Sequence, residues 1–459
     1  MWESFIETVT KVNDWVNGVV WGWPMIVMIL GTGILLTVRT KVLQVRKFGE
    51  SLSSTIVPVV KGLGKKQGKR DKNSISQFEA FSAAISGTVG TGNIIGVTSA
   101  ILTGGPGAVM WMWISAFVGM VTNYSENVLG LYYRRKEKDG SFSGGAFYYI
   151  AYGLKQNWLG LFAAVFCLLA ATGMSGVQTN KITGSFISVL NTDETWVKLL
   201  IGSVVALFAA VVIIGGIKRI GRIASMLVPF MSVLFIIMSF IIIGKNIGAV
   251  PETFRLIFSS AFSAKAVAGG VGGFVFSQII KKGLARGVFS NEAGLGSSVI
   301  AHSASETREP VKQGLWGIFE VFFDTFVICT LTALVVLTTN IGNGSYENGS
   351  FFGTTNAAGE FVGASDSATS LSAFSSNLGT FGTVTFLTIL PLFAFTTVLA
   401  WSYYGEKAMD FCFRNTSEKA RKNATMIFKV AYILLIVFSS LIGSDLIWAL
   451  DDTFNGLMA

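Results

Sequence analysis

Residues 86–93 read SGTVGTGN and sit in the middle of an apolar run. Glycine and threonine weaken a helix, and an unpaired backbone group in hydrocarbon costs several kcal/mol. A helix unwound here frees N–H and C=O groups. Amides at a half-helix N-terminus suit an anion such as a carboxylate. Carbonyl, hydroxyl and side-chain amide oxygens suit a hard cation such as Na⁺. The amides near Thr91 and Gly92 are therefore expected to take a carboxylate, with Thr88 and Gly90 in the same substrate subsite. Thr88 and Asn93 supply oxygen donors to a cation. Packing through small residues explains Gly87, Gly90 and Gly96 but not the threonines together with Asn93. A phosphate loop is excluded, because no lysine follows the glycines and the setting is apolar.

Other polar residues at membrane depth are candidates for the same site. Gln178 lies near the middle of a later apolar segment and could meet a substrate amine or carboxylate, or bond a neighbouring helix. Thr396 and Thr397 offer paired hydroxyls, though such threonines often bond their own i−4 carbonyl. A second glycine cluster, AGGVGG at 268–273, marks a second expected break. Glu126 is placed to accept hydrogen bonds from N–H groups freed there. Phe274, Phe276 and Trp401 are aromatic candidates to wall a small pocket. Asp324, Glu320 and Lys181 are weaker candidates without a partner, and His302 falls in a connection with no special role.

These residues need membrane helices to position them. Of 459 residues, 51% are hydrophobic and 13% charged, against about 25% charged in a soluble domain. The composition is that of an all-α polytopic membrane protein, whose solvent is the lipid bilayer. Apolar segments of spanning length fall near 16–38, 77–102, 106–133, 161–189, 197–216, 221–244, 264–285, 313–339, 380–405 and 424–443, with a last one from 445. Most Lys and Arg lie on alternate connections, 39–76, 134–155, 217–222, 281–312 and 407–428, while 340–379 has none. By the positive-inside rule the N-terminus is extracytoplasmic and the basic loops cytoplasmic, in a cell-membrane protein. The net charge of +9 is thus a matter of orientation and not of nucleic-acid binding. Asn343 and Asn348 form N-x-S sequons that read as ordinary turn residues. One histidine and the scattered Cys167, Cys329 and Cys412 leave no transition-metal cluster, cofactor site or disulfide framework, and no nucleophile–base set for an enzyme. No obligate protein partner is evident.

Taking 16–38 as an accessory helix, the glycine-broken segments are core helices one and six. They open two five-helix halves that enter the membrane from opposite sides, the pattern of an inverted repeat around a midplane site. The expected division is 1–75 (N-terminus, accessory helix, basic loop), 76–245 (first repeat) and 246–459 (second repeat).

Several stretches resemble one family. GGPGAVMWMWISAFVG at 104–119 looks like the signature of the alanine or glycine:cation symporters, with Met110 where Phe is usual. GLARGVFSNEAGLGSSVIAHSAS at 283–305 and DDTFNGLMA at 451–459 are similar to further stretches of that family. The resemblance implies sodium-coupled import of a small neutral amino acid, alanine or glycine, on a LeuT-type 5+5 fold with one extra N-terminal helix. Family members continue past NGLMA, so core helix ten is expected to be incomplete here. VGTGN at 89–93 is also similar to the VGxGN of neurotransmitter:sodium symporters. That likeness implies that the Thr91 and Gly92 amides hold the substrate carboxylate and that Asn93 and Thr88 ligate one Na⁺. It further implies a second Na⁺ between the Ser86 and Val89 carbonyls, Thr396 and Thr397. SENVLGLYY at 125–133 resembles the segment whose glutamate braces the break in helix six, here Glu126. The alternative within transport is proton coupling, with Asp324 or Glu126 as carrier. A channel or passive receptor is separated from these by uphill accumulation.

Overall fold

The computed structural model describes residues 2–62, 75–138, 140–190, 192–262, 270–344, 346–347, 350–351, 353–355, 361–363 and 365–459. The chain is almost wholly helical. Helices α1 (Trp2–Val20) and α2 (Trp23–Arg39) form the accessory element, and α3 (Phe48–Gly62) follows it. Core helix one consists of α4 (Gln77–Thr88) and α5 (Gly92–Gly104), bent by 47° across the intervening residues. Next come α6 (Gly107–Tyr133), α7 (Asn157–Leu190), α8 (Thr195–Ile213), α9 (Gly216–Lys245) and the shorter α10 (Val250–Ala261). Core helix six is α11 (Gly270–Asn291) and α12 (Ser298–His302). The chain ends with α13 (Pro310–Gly342), α14 (Asp366–Cys412), α15 (Glu418–Ser439) and α16 (Ser444–Met458).

Local chemistry fixes several boundaries. Ser76 starts α4 with a capping box: its Oγ accepts the Glu79 N–H at 3.1 Å, and the Glu79 carboxylate accepts the Ser76 N–H at 2.8 Å. Pro24 stands in the first turn of α2, where its missing N–H costs nothing. Gly379 takes φ 59°, ψ −142° inside α14, so the helix kinks there and the expected core span 380–405 begins just beyond it. Phe208, Val211, Phe230, Phe240 and Leu434 on α8, α9 and α15 point outward and exposed, the surface that a hydrocarbon solvent rewards. Among the described residues, seven helices are long and apolar enough to cross a membrane, or eight with the bent α4–α5 pair counted as one span.

Two features differ from expectation. The glycines at 270, 272 and 273 do not interrupt core helix six, which runs unbroken from Gly270 to Asn291 and breaks later, at 292–297. Gly269 lies outside the described residues. The reason is conformational: Glu292, Gly294 and Gly296 have φ of 55°, 98° and 70°, which no α-helix accommodates. Second, Lys281, Lys282 and Arg286 belong to α11 before the break. They lie with Trp23, Gly104 and Asp452, at the opposite end of α2 from the basic loop after Arg39. Their grouping with Arg308 and Lys312 as one cytoplasmic connection is therefore corrected.

Candidate functional site

The break of core helix one is held by side chains. Val89 has extended backbone (φ −83°, ψ 91°). The freed Gly90 N–H donates to Asn93 Oδ1 at 2.8 Å, and the Thr91 N–H donates to Gln178 Oε1 at 3.1 Å from α7. Gly90 must be glycine: a Cβ would lie 2.5 Å from Thr397 Oγ1 and 3.2 Å from Gln178 Oε1. Thr91 Oγ1 is buried and has no hydrogen-bond partner among the described residues. Thr88 Oγ1 donates to the Ile85 carbonyl (3.2 Å) and Ser86 Oγ to Ala83 (2.8 Å), so both hydroxyls turn back onto their own helix. Thr88, Val89, Thr91, Asn93, Gln178 and Thr397 are all buried.

Asn93 also joins three core helices. Its Nδ2 donates to Ser290 Oγ on α11 (3.0 Å) and to Asp324 Oδ1 on α13. Ser290 Oγ (2.8 Å) and Thr325 Oγ1 (2.9 Å) donate to Asp324 Oδ2. Asp324 is fully buried, and among the described residues no Lys or Arg pairs with it. A carboxylate in that state requires a compensating cation or a proton. The helix delivers it by a π turn, Phe322–Cys329, a local widening common at functional sites. Asp324 is only a weak candidate in the sequence and Ser290 is absent from that reading. A carboxylate mid-span is the signal for Asp324; for Ser290 only its position two residues before the true break would serve.

The two hydroxyls proposed as a pair diverge. Thr397 Oγ1 reaches the Val89 carbonyl at 3.5 Å while bonding Phe393 O at 3.0 Å. Thr396 Oγ1 faces Met231 Sδ at 3.7 Å on α9 and bonds Phe393 O at 3.0 Å. Adjacent residues on a helix point about 100° apart, and only Thr397 meets the break. Trp401 lies below it, its indole N–H directed at the Gly87 carbonyl at 3.4 Å, so it braces α4. The side chains of Phe274 and Phe276 lie outside the described residues, as does Asn348.

At the second break, Glu126 Oε2 accepts the Gly294 N–H at 3.1 Å from a buried position on α6. Glu292 inside the turn accepts from Ser297 Oγ. Over the opposite side of the site, Phe289 stacks on Trp448 with centroids 5.9 Å apart. A Cβ at Gly92 would touch Phe289 at 3.4 Å. Arg286 forms a bidentate pair with Asp452 (2.9 and 3.0 Å), its guanidinium 4.8 Å from the Trp448 ring centre. Lys181 pairs with Asp366 at 3.2 Å beside the same tryptophan. The broken helices thus enclose a polar site capped by aromatics and two ion pairs.

The fold and the sequence both have known relatives. The structure is similar to that of MhsT, a LeuT-fold transporter solved in complex with L-phenylalanine. The TM-score is 0.59 at 14% identity, covering 85% of this chain and 89% of that one. The chain is 38% identical to the sodium/alanine symporter AgcS of Methanococcus maripaludis, over 99% of this chain and 93% of the relative. It is 37% identical to YrbD of Bacillus subtilis, named a putative sodium/proton-dependent alanine carrier protein, over 96% of this chain and 86% of the relative. Residues 6–459 match the sodium:alanine symporter family, and this multi-pass membrane protein belongs to that family of cation-coupled amino-acid transporters.

Proposed function

We propose that the protein imports a small neutral amino acid, alanine or glycine, by Na⁺ symport through alternating access. The observation that carries this reading is Asn93. It ties the broken helix one to Ser290 and to Asp324, which is buried and has no Lys or Arg partner among the described residues, and leaves an oxygen-rich cluster beside the amides of Thr91 and Gly92. In the transport cycle Na⁺ replaces the Asn93 Nδ2 hydrogens against Asp324 and Ser290, and the Asn93 amide turns so that Oδ1 meets the ion. The substrate carboxylate takes over the Thr91 N–H that Gln178 Oε1 now accepts, and the released Gln178 amide meets the substrate. Gly90 and Thr88 give the close approach, and Trp401 backs the inner half-helix. The Val89 carbonyl and Thr397 form a second oxygen pair suited to Na⁺, with Ser86 and Thr396 one layer out. Glu126 holds the turn of helix six in shape. The relative AgcS, named a sodium/alanine symporter, supports this choice of ion and substrate.

Coupling follows from sharing. Na⁺ and the carboxylate favour each other across one small site, a reciprocal free energy of about 1–3 kcal/mol. Each charge crossing about 100 mV supplies about 2.3 kcal/mol. The ion pairs Arg286–Asp452 and Lys181–Asp366 close the extracytoplasmic side, with the N-terminus on that side and the 39–76 loop in the cytoplasm.

The test is uptake of labelled alanine into proteoliposomes under an inward Na⁺ gradient, against K⁺ at equal pH. Accumulation above the outside concentration only with Na⁺ supports the reading. A second reading rests on the same carboxylate: Asp324 can take a proton in place of Na⁺, in line with the name of YrbD. Accumulation driven by an inward proton gradient without Na⁺ would favour that second reading.

A further inference from the structure

His302 and Glu320 are both fully buried, and neither takes part in the site above. His302 ends α12, the short half-helix beyond the break. Glu320 and Gln313 stand on α13. His302 Nε2 lies 2.7 Å from Glu320 Oε2, and its Nδ1 lies 2.6 Å from Gln313 Nε2. Ser298 on α12 is the other polar neighbour of the Glu320 carboxyl and accepts from Asn123 Nδ2 of α6 at 3.2 Å. The pair therefore bridges the joint between the inner half of helix six and helix seven.

The surrounding titratable groups are acids and phenols. Glu126 faces the pair from α6, Glu292 from the turn, Asp324 from the π turn and Tyr404 from α14, with Tyr149 beside Glu126. Glu79 on α4 is engaged at its helix start by Ser76, and Glu50 on α3 pairs with Lys47. Arg134 is spent on the carbonyls of Ser303, Ser305 and Thr307. Among the described residues, no lysine or arginine bonds to His302 or Glu320.

Proton counting gives the pair two states. With Gln313 Nε2 donating to Nδ1, the ring is the neutral Nε2–H tautomer against a carboxylate, and the pair carries one negative charge. Gln313 Oε1 is buried and has no hydrogen-bond partner among the described residues. Half a turn of that amide places Oε1 on a protonated Nδ1. The extra proton then lies in the Glu320–Nε2 hydrogen bond, as imidazolium against carboxylate or as a Glu320 carboxyl donating to a neutral Nδ1–H ring, and the pair is neutral. A dry net charge without a counter-ion is costly, and the second state removes it.

We propose that His302 and Glu320 form a proton-binding site, separate from the substrate and cation site, that holds its extra proton while α12 is docked on α13. The proton leaves to the inner solution when the half-helix moves away and water reaches Glu320. The docked state binds more protons, so acid favours docking and alkali favours release. Acidifying the inner side therefore slows inward opening. The transport consequence rests on the alternating movement proposed above; the proton site itself does not.

His302 is the chain's only histidine, so one imidazole reports the site by ¹⁵N NMR of histidine-labelled protein in lipid nanodiscs. With Na⁺ and alanine present at about pH 7, the wild-type ring should carry a proton on Nδ1, whereas the proton-free pair carries it on Nε2 alone. In proteoliposomes, lowering the inner pH from about 7.5 to about 5.5 should slow uptake several-fold in the wild type and less than about twofold in His302→Gln. A wild-type ring protonated on Nε2 alone overturns the proposal. So does a pH response undiminished in His302→Gln. The NMR readout needs no transport and no variant, so it fails or succeeds independently of the Na⁺ reading.

Discussion

Asn93 is the residue on which most of the site depends. Its two side-chain groups satisfy the Gly90 amide, Ser290 and Asp324 at once. Asn93→Ala should weaken Na⁺ and alanine binding together, each by about tenfold or more, since it leaves the Gly90 N–H unpaired and a carboxylate misplaced. Isothermal titration with each ligand at saturating and limiting concentrations of the other checks this; loss of alanine binding with Na⁺ dependence unchanged would break the shared-site idea. Asp324→Asn keeps the shape and the hydrogen bond from Asn93 but removes the charge, and the Ser290 and Thr325 hydroxyls must turn to accept from its amide. It should reduce Na⁺ affinity by about tenfold, roughly 1.4 kcal/mol, with little change in melting temperature. At this level the sequence was informative about types but not partners. Gln178 and Asn93 announced themselves as amides in an apolar run. That Gln178 caps Thr91, or that Thr396 turns to Met231, depends on helix rotations that no spacing along one segment records.

Among the elements, the break of helix six shows best where sequence reading stops. AGGVGG looks like the weakest stretch, yet α11 passes straight through its described part and unwinds at NEAGLG. Composition measures helix propensity, whereas the break is placed by tertiary demand: Glu126 reaches across from α6 to the Gly294 amide. Glu126→Gln retains an acceptor and should be close to neutral in stability. Glu126→Ala should cost about 1–3 kcal/mol by stranding that amide. Gly294→Ala adds a methyl where the nearest atom is 3.6 Å away, so its cost, about 1–3 kcal/mol, is backbone strain at φ 98° alone. Thermal unfolding of the detergent-solubilised variants distinguishes the three. Helix one was easier to read, because its break coincides with its polar residues: there the local sequence and the tertiary requirement agree.

For the molecule as a whole, class, helix order and family were legible, since a hydrocarbon solvent forces spans of nearly fixed length and the family stretches are long. The Arg286–Asp452 ion pair was not, because the two residues are 166 positions apart and Arg286 counts as a loop charge until α11 is seen to extend past it. Asp452→Asn should speed exchange of bound alanine with the solution on that side by a factor of about three to ten, by removing a partly buried bidentate pair worth about 1 kcal/mol. Stopped-flow dilution of labelled alanine from purified protein would measure it, and an unchanged off-rate would remove the pair from the gate.

The π turn at Phe322–Cys329 carries a consequence for how the chain tolerates change. A π turn holds one residue more than the α-helix it interrupts, and each residue advances a helix by about 100°. Asp324 and the face of α13 that follows Cys329 are therefore out of phase by one residue. Deleting a single residue between Phe326 and Ile328 would restore an ordinary helix of the same character and apolarity. It would also swing Asp324 about a quarter turn away from Asn93 relative to everything beyond. The variant should still insert and fold as a bundle while losing cation binding. The length of this apolar segment, counted in single residues, is what aims the carboxylate.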